Sequence, residues 1–329
     1  MAKKKPAKPK VAFYWCASCG GCEEAVVDLA EDLLDVASKI EIVLWPVALD
    51  FKRKDVEALD DGAIAVSFIN GAVRLSEQEE MVRLLRRKSK LVVAFGSCAH
   101  LGGIPGLANF SSAPEVLRYV YQDLPSVDNP EGTLPQGAVE TPHGTLTLPA
   151  FHDTVKTLDQ VVEVDYFLPG CAPPPDLVLG AIEAILAGNL PEKGTVLSPN
   201  MALCDECPRR DSKPEVLEIT EIKRVSTATP DPERCFLADG FVCMGPATRS
   251  GCGHRCIEAN MPCRGCFGPL DGVADHGAKF LSAFASLLKG DDEESLARLA
   301  ETLPDPAGTF YRFSLPASLL RRRKMEEAP

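Results

Sequence analysis

The chain has 329 residues, a formal net charge of −12 and a hydrophobic fraction of 45%, which is enough to bury a core and favours two domains over one. This acidity argues against duplex nucleic acid as a partner, because phosphate recognition needs clustered lysine and arginine. The basic clusters lie at the two ends of the chain and are interpreted as solvated tails. They comprise Lys3, Lys4, Lys5, Lys8, Lys10, Arg321, Arg322, Arg323 and Lys324.

The sequence predicts no membrane span, because no apolar run reaches the roughly 18 residues that a membrane helix needs. The N-terminus shows no apolar core after its lysines, no twin arginine and no small-residue cleavage site. We therefore expect a cytoplasmic protein. In a reducing compartment clustered cysteines usually hold metal rather than form disulfides, and this chain has 13 cysteines.

The elements predicted between residues 11 and 197 alternate between short apolar runs and amphipathic segments of helical length. This pattern is typical of a mostly parallel sheet with helices on both faces. The segment 128–148, rich in Gly, Pro and Thr, is interpreted as a surface insertion with a hairpin around His143 and Gly144. The predicted strands are 11–15, 40–45, 63–69, 91–95 and 164–168, and the predicted helices are 23–37, 77–87 and 176–187.

The composition changes near residue 198 to Cys, Pro and Gly with little periodicity. Such a composition indicates a small domain held by metal rather than by a core. Two amphipathic segments, 274–288 and 293–302, are predicted to close it as helices. The expected organisation is therefore a basic flexible tail at 1–10, an α/β domain at 11–197 and a cysteine-rich domain at 198–329.

The first candidate metal site lies at the carboxyl ends of the predicted strands, where open parallel sheets place their ligands. Cys19 and Cys22 follow the first strand, Cys98 follows the fourth, and Cys171 follows the fifth. The two-residue gap in Cys-Gly-Gly-Cys lets two thiolates reach one cluster, and its glycines let backbone amides approach the sulfides. A thiol redox motif is the alternative for Cys-x-x-Cys alone, but the cysteines at the other strand ends favour an iron-sulfur site.

Cys16 offers an alternative pair of ligands for the first candidate site. It precedes Cys19 with the same two-residue gap, so the spacing also permits Cys16 and Cys19 as the ligands. We prefer Cys19 and Cys22, because Cys16 follows an apolar strand closely and a free buried thiol is an ordinary core residue.

Two further sets of four cysteines lie in the second half of the chain. Their density is a strong metal signal, although paired Cys-x-x-Cys motifs also build structural zinc sites. We favour iron-sulfur, because the spacing departs from a two-pair zinc knuckle and a cluster-like set already exists in the first half. The second set is Cys204, Cys207, Cys235 and Cys243, and the third set is Cys252, Cys256, Cys263 and Cys266.

Two histidines are alternative ligands. His100 and His254 each lie within two residues of a candidate cysteine, and a histidine can replace a cysteine at a cluster edge. Twelve cysteines already complete three sets, however, so neither histidine is needed. His143, His152 and His276 are interpreted as surface or core residues.

The motifs around these cysteines resemble a known family. Cys-Gly-Gly-Cys-Glu at 19–23, Gly-Ser-Cys-Ala-His-Leu-Gly-Gly-Ile-Pro at 96–105 and Leu-Pro-Gly-Cys-Ala-Pro-Pro-Pro at 168–175 look like the proximal-cluster motifs of nickel-iron hydrogenase small subunits. They lie in the first half of the chain, for which the resemblance implies a flavodoxin-like fold. Segments 235–252 and 260–269 resemble the cytoplasmic branch of that family, which reduces viologen dyes, deazaflavin or heterodisulfide reductase.

The resemblance implies a fold and a role for each set. The fold would be a flavodoxin-like parallel sheet with helices on both faces, followed by a small cysteine-rich iron-sulfur domain. The first set would hold a proximal 4Fe-4S cluster facing the large subunit, the third set a medial one and the second set a distal one. Cys204, where other branches often have histidine, and a fourth medial cysteine fit the cytoplasmic branch. Cys16 matches none of the family's ligand positions.

The resemblance also implies the partners. The nickel-iron centre would lie on a separate hydrogenase large subunit, so this chain would supply no catalytic residue and would pass electrons to a further partner. That partner would be an iron-sulfur adaptor of a heterodisulfide reductase complex or, as second choice, a deazaflavin-reducing flavoprotein. Two rival functions remain at this point, a cluster subunit of a complex-I-like oxidoreductase and a zinc-stabilised interaction module.

Overall fold

A five-stranded parallel sheet forms the centre of the first half in the computed structural model, which describes residues 8–323. The strand order is β2-β1-β3-β5-β9, and these are the five strands predicted from the sequence. The strands are β1 Lys10–Trp15, β2 Glu41–Leu44, β3 Ile64–Asn70, β4 Val73–Leu75, β5 Ser89–Phe95, β6 Ala138–Thr141, β7 Gly144–Thr147, β8 Phe151–Lys156 and β9 Tyr166–Leu168. Lys3, Lys4, Lys5 and Lys324 of the predicted basic tails lie outside the described residues.

Helices cover both faces of this sheet, as predicted. The helices are α1 Gly21–Val27, α2 Glu31–Lys39, α3 Arg53–Glu57, α4 Ser76–Lys88, α5 Ser97–Leu101, α6 Ala113–Arg118, α7 Pro175–Ala187, α8 Arg255–Glu258, α9 His276–Ala285, α10 Glu293–Glu301 and α11 Pro306–Phe310. Short 3-10 turns occupy Ile104–Phe110, Leu203–Asp205, Arg210–Ser212 and Gly245–Ala247, and a π-turn occupies Tyr119–Asp123.

The two faces of the sheet bury different side chains, because successive strand residues point to opposite sides. Phe13 packs on the face that carries α1 and α7, where its ring lies 5.3 Å from that of Phe68. Ala12 packs on the other face, in the cluster that includes Val82 and Leu85 of α4. The strands are therefore buried on both sides, and only their ends remain for a site.

The prediction of one helix over 23–37 is wrong. The segment forms α1 and α2, which are separated by a turn in which Ala30 has a φ of 51°. A residue with this positive φ ends the regular hydrogen-bond ladder, and such a sparsely populated backbone conformation costs an alanine about 1–3 kcal/mol. The break lets α1 stay close to the end of β1, where it carries Cys22, while α2 packs Val36 into the core.

The hairpin predicted in the inserted segment 128–148 is confirmed. The hairpin around His143 and Gly144 is present as β6 and β7, and its strand residues are mostly exposed. The antiparallel pair of β4 and β8 was not predicted. Each of these strands is short, and β4 runs directly into the α4 pattern, so periodicity alone does not separate them.

The second half has a hydrophobic core of its own, which differs from the expectation of a domain held by metal alone. Phe280, Phe284 and Phe310 pack with ring centroids 5.7–6.1 Å apart. The two predicted closing helices are present as α9 and α10. Each begins at an aspartate whose carboxylate accepts a hydrogen bond from a backbone N–H, Asp275 from that of Ala278 and Asp292 from that of Ser295.

The C-terminal segment returns to the first half of the chain. The backbone amide of Gly103 donates to the Phe313 carbonyl at 2.9 Å, and the side-chain amide of Gln160 donates to the Pro316 carbonyl at 2.7 Å. The Ser97 hydroxyl also donates to the carbonyl of Cys266. The loops of the sheet edge are therefore in direct contact with the cysteine-rich half. The domain boundaries at 10 and 197 stay a prediction.

The lengths and composition of the helices bear on whether the chain spans a membrane. Among residues 8–323 no helix combines the length and the apolar character needed to cross a bilayer.

Asp165 is a buried charge that joins three parts of the first half. It is 1% exposed, and its carboxylate accepts hydrogen bonds from Arg86 Nη1 at 2.6 Å and from the Val92 amide at 2.8 Å, with Lys193 Nζ 2.5 Å away. Burial by itself would raise the pKa of Asp165, but these partners outweigh burial and hold the pKa below its usual value.

We expect Asp165→Asn to destabilise the fold by about 3 kcal/mol, because it leaves the Arg86 charge without its buried partner. The stabilisation in the wild type is fully present above the unfolded pKa of about 3.9 and is lost as pH falls through the lowered folded pKa. The difference in thermal midpoint between wild type and variant should therefore shrink below about pH 4. Asp50→Asn makes the same chemical change at an exposed ion pair with Lys52 and should leave the midpoint unchanged.

Candidate cluster-binding sites

The first cysteine set comes together at the carboxyl edge of the sheet. Cys22 lies in the first turn of α1, Cys98 in α5 directly after β5, and Cys171 three residues after β9. Burial, reinforced by the sulfurs of Cys98, Cys171 and Cys19, raises the pKa of Cys22 well above its usual value. Burial and the sulfurs of Cys171 and Cys19 likewise raise the pKa of Cys98 to about 12. All four sulfurs therefore lie close enough to affect one another electrostatically.

Glycines keep space open around these sulfurs. A Cβ atom on Gly96, whose φ is +83°, would lie 2.4 Å from the Cys22 sulfur. A Cβ atom on Gly103, whose φ is +58°, would lie 2.4 Å from the Cys98 sulfur. Both positions need a residue that tolerates the left-handed region and has no side chain. The first glycine and the last glycine of the motif Gly-Ser-Cys-Ala-His-Leu-Gly-Gly are therefore required for steric reasons. The space that they leave fits a group held by sulfur ligands.

Cys16 lies apart from this set. Its side chain is 5% exposed and packs in the core cluster on the face of the sheet that carries α4. Burial alone raises the pKa of Cys16, with no contribution from the sulfurs of the first set. Of the two pairs that the spacing allowed, the fold brings Cys19 and Cys22 to the other cysteines.

The second set gathers around Gly245. A Cβ atom on this glycine would lie 3.1 Å from the Cys204 sulfur and 3.7 Å from the Cys243 sulfur. Burial, followed by the sulfurs of Cys243, Cys207 and Cys235, raises the pKa of Cys204 to about 12. The four cysteines come from three separate segments, so the packing of the second half, rather than one local motif, brings them together.

The third set lines an apolar cavity of about 240 Å³. On the order of eight waters would occupy that volume at about 30 Å³ each, so the cavity has room for a multi-atom group. Leu203, Phe267 and Phe313 contribute its apolar wall. All four sulfur-bearing residues of the set line this one space: Cys252, Cys256, Cys263 and Cys266.

The three sets are joined in a fixed order. Cys171 of the first set also lines the cavity of the third set, and its backbone amide interacts with the Cys266 sulfur. The Cys263 amide of the third set donates to the Cys243 sulfur of the second set at 3.3 Å. The third set therefore lies between the first and the second, although its residues come last in the sequence.

The two alternative histidines lie in different places: His254 lines the cavity of the third set, whereas His100 does not. His100 is partly buried against the Phe167 ring, with centroids 4.7 Å apart, and desolvation lowers its pKa to about 3. His254 begins α8 with a left-handed φ of 55°, and its Nε2 lies 3.3 Å from a Glu206 carboxylate oxygen. His276 faces the Thr248 hydroxyl at 3.3 Å. The fold thus gives each of these histidines a protein neighbour.

The spacing of the candidate ligands differs from that of a single-ion site. Within the described range 8–323, no three His, Cys, Asp or Glu side chains converge closely enough to hold one metal ion. A structural zinc site requires four ligands about 2.0–2.3 Å from one ion. Among residues 8–323, no cysteine set has the spacing of such a single-ion site.

The half of the chain that contains the sheet matches a known family. The model of the family described as NADH ubiquinone oxidoreductase, 20 Kd subunit, matches residues 19–185. The fold of the longer part is similar to that of the [NiFeSe] hydrogenase from Desulfovibrio vulgaris Hildenborough. That comparison gives a TM-score of 0.52 at 17% identity and covers 80% of this chain and 95% of that chain.

Two curated relatives match almost the whole chain. The iron-sulfur subunit of the F420-non-reducing hydrogenase of Archaeoglobus profundus is 41% identical, over 95% of this chain and 98% of its own length. A subunit of the F420-non-reducing hydrogenase of Methanothermobacter thermautotrophicus is 36% identical, over 97% and 98%. These matches include the cysteine-rich half, which the family model does not reach. The chain therefore belongs to the hydrogenase small-subunit family, alongside these subunits of the F420-non-reducing hydrogenases.

Proposed function

We propose that this chain relays electrons between the nickel-iron centre of a hydrogenase large subunit and a further redox partner in the cytoplasm. Small subunits of this family carry iron-sulfur clusters and pair with a large subunit. The observation that carries the proposal is the continuous line of three cysteine sets. Contacts between Cys171 and Cys266 and between Cys263 and Cys243 connect that line.

Three 4Fe-4S clusters are the groups that best fit these sets. Each set has four thiols, and the glycines and the apolar cavity leave room for more than one ion. When bound, such clusters accept and release single electrons. The first set would hold the proximal cluster, the third the medial cluster and the second the distal cluster, with all twelve cysteines as ligands.

The chain itself determines how the relay behaves. Its thiolates fix each group in place, backbone amides such as that of Cys263 donate to ligand sulfurs, and apolar side chains exclude water. Hydrogen bonding to sulfur and exclusion of solvent are the means by which a protein sets the potential of a cluster. The splitting of hydrogen would take place on the large subunit.

The redox partner that we propose is an iron-sulfur adaptor of a heterodisulfide reductase complex. The names of the full-length relatives specify hydrogenases that do not reduce F420. Because F420 is a deazaflavin, these names favour the heterodisulfide reductase partner over a deazaflavin-reducing flavoprotein. The complex-I-like alternative is disfavoured, because the relatives that span the cysteine-rich half are hydrogenase subunits.

Metal analysis of the purified complex tests the cluster assignment. We expect about twelve irons and about twelve acid-labile sulfides from this chain, since each set of four cysteines would hold four of each. Iron that belongs to other subunits is subtracted by analysing the large subunit and the adaptor separately. Zinc without sulfide in this chain would contradict the relay and would support the interaction module.

A further inference from the structure

A basic pocket of about 310 Å³ lies beside the second and third cysteine sets. Its wall is formed by the segment 222–226, the turn that contains Arg264, and residues 303–312. Four cationic side chains line it, and Asp305 is the acidic residue among them. The cationic residues are Lys223, Arg224, Arg264 and Arg312. This concentration of positive charge contrasts with the net charge of −12 of the whole chain.

The positive charge of this basic pocket is poorly balanced. Lys223 has a partner, because its Nζ lies 3.1 Å from Asp239. The Asp305 carboxylate already caps α11, where it accepts a hydrogen bond from the Gly308 amide at 2.9 Å. Within residues 8–323 Arg264 and Arg312 form no ion pair, and the buried Nε of Arg312 has no hydrogen-bond partner. The two guanidinium charges are therefore available to an anion that enters the basic pocket.

The neighbouring cysteines account for one of these arginines only. Arg264 lines both the basic pocket and the cavity of the third set, so its charge can balance thiolates there. Arg312 and Arg224 do not line that cavity. Arg264 and Arg312 line the same pocket, so their like charges repel, and an anion between them would remove that repulsion. Arginine presents several N–H donors in a fork that matches the oxygens of a phosphate.

We propose that the basic pocket binds a small oxyanion, either inorganic phosphate or the phosphate group of a larger molecule, at Arg264 and Arg312. Its volume lies at the small end of the usual range for small-ligand sites. The bound negative charge lowers the reduction potential of the neighbouring medial and distal clusters, because added electrons are repelled. This second part rests on the proposed cluster assignment, whereas the binding of the anion does not.

Calorimetric titration of the purified hydrogenase complex with inorganic phosphate tests the site. We expect one equivalent of phosphate to bind to this chain with a dissociation constant of about 1 mM or tighter. Arg312→Gln should weaken binding by about tenfold or more, since it removes a charge-assisted hydrogen bond. Arg298→Gln, at an exposed ion pair on α10, is the matched control and should bind as the wild type does.

The outcomes separate the sources of the anion and the two parts of the proposal. Glycerol phosphate that binds more tightly than inorganic phosphate identifies a larger molecule as the ligand, and the reverse identifies the free anion. Arg312→Lys retains the charge without the fork and should bind with intermediate strength, which guards against a misfolded Gln variant. Absence of saturable binding, or equal binding by Arg312→Gln and wild type, would overturn the site.

A redox titration followed by electron paramagnetic resonance tests the effect on the clusters. Phosphate at saturation should shift the midpoints of the medial and distal signals to lower values and leave the proximal signal in place. Unchanged midpoints with phosphate bound would refute the regulatory effect. Iron and sulfide analysis of the same samples shows separately whether the cluster assignment itself holds.

Discussion

Cys171→Ala is expected to lower hydrogen-dependent dye reduction by the purified complex at least about 100-fold, because even outer-shell changes at metal sites cost 10- to 100-fold. Cys171 belongs to the first set and also contacts Cys266 of the third set, so its loss interrupts the line of sulfurs at the end that would face the large subunit. The variant should also lose about four irons and four sulfides. The large subunit should still catalyse isotope exchange between dihydrogen and water, because the nickel-iron centre lies on that chain.

Cys16→Ala provides the matched control for this prediction. It makes the same chemical change in the loop that follows β1, but Cys16 packs in the hydrophobic core rather than with the first set. We expect unchanged iron content and unchanged dye reduction, with a small loss of stability from the missing sulfur. Full activity in Cys171→Ala would show the proximal assignment to be wrong, and iron loss in Cys16→Ala would restore the pair of Cys16 and Cys19.

Gly96→Ala is expected to remove the first cluster without touching a ligand. The added methyl group would lie 2.4 Å from the Cys22 sulfur, and the φ of +83° is unfavourable for alanine. The conformational part alone costs about 1–2 kcal/mol, and the overlap must displace either the sulfur or the backbone. We expect about four fewer irons per chain, measured by metal analysis, together with loss of dye reduction.

Gly62→Ala separates the steric effect from the conformational one. Gly62 has a similar φ of +71°, but nothing lies within 4 Å of the position that a Cβ atom would take there. This variant should lower the thermal midpoint slightly and retain its full iron content. If Gly96→Ala behaved in the same way as Gly62→Ala, Gly96 would be needed only for the backbone conformation of the turn. The space beside the Cys22 sulfur would then not hold a cluster.

The proposed cluster ligands and the proposed redox partner rest on different observations. The twelve cysteines fall into three spatial sets in the fold, whereas the identity of the acceptor rests on the names of relatives. Copurification with mass spectrometry would identify the acceptor. The basic pocket beside Cys243 and Cys263 adds a second means by which the surroundings could set the relay's potential.

Sequence alone was sufficient for the parallel sheet. The five parallel strands are short buried apolar runs, which local periodicity reveals. Because the carboxyl ends of parallel strands share one edge, the spacing predicted that Cys98 and Cys171 would join the Cys-Gly-Gly-Cys turn. The elements that it missed, such as the pair of β4 and β8 and the break at Ala30, depend on contacts or strain that periodicity does not report.

Only the tertiary structure decided the order of the three sets and the place of Cys16. The spacing of Cys16, Cys19 and Cys22 allows two pairs, and the position of Cys16 on the α4 face of the sheet, apart from the sulfurs of the first set, favours Cys19 and Cys22. Likewise, the set that comes last in the chain lies between the other two, because Cys266 meets Cys171 and Cys263 meets Cys243. Residue types and spacing thus determined which chemistry this protein carries, whereas long-range packing determined the path along which it can run.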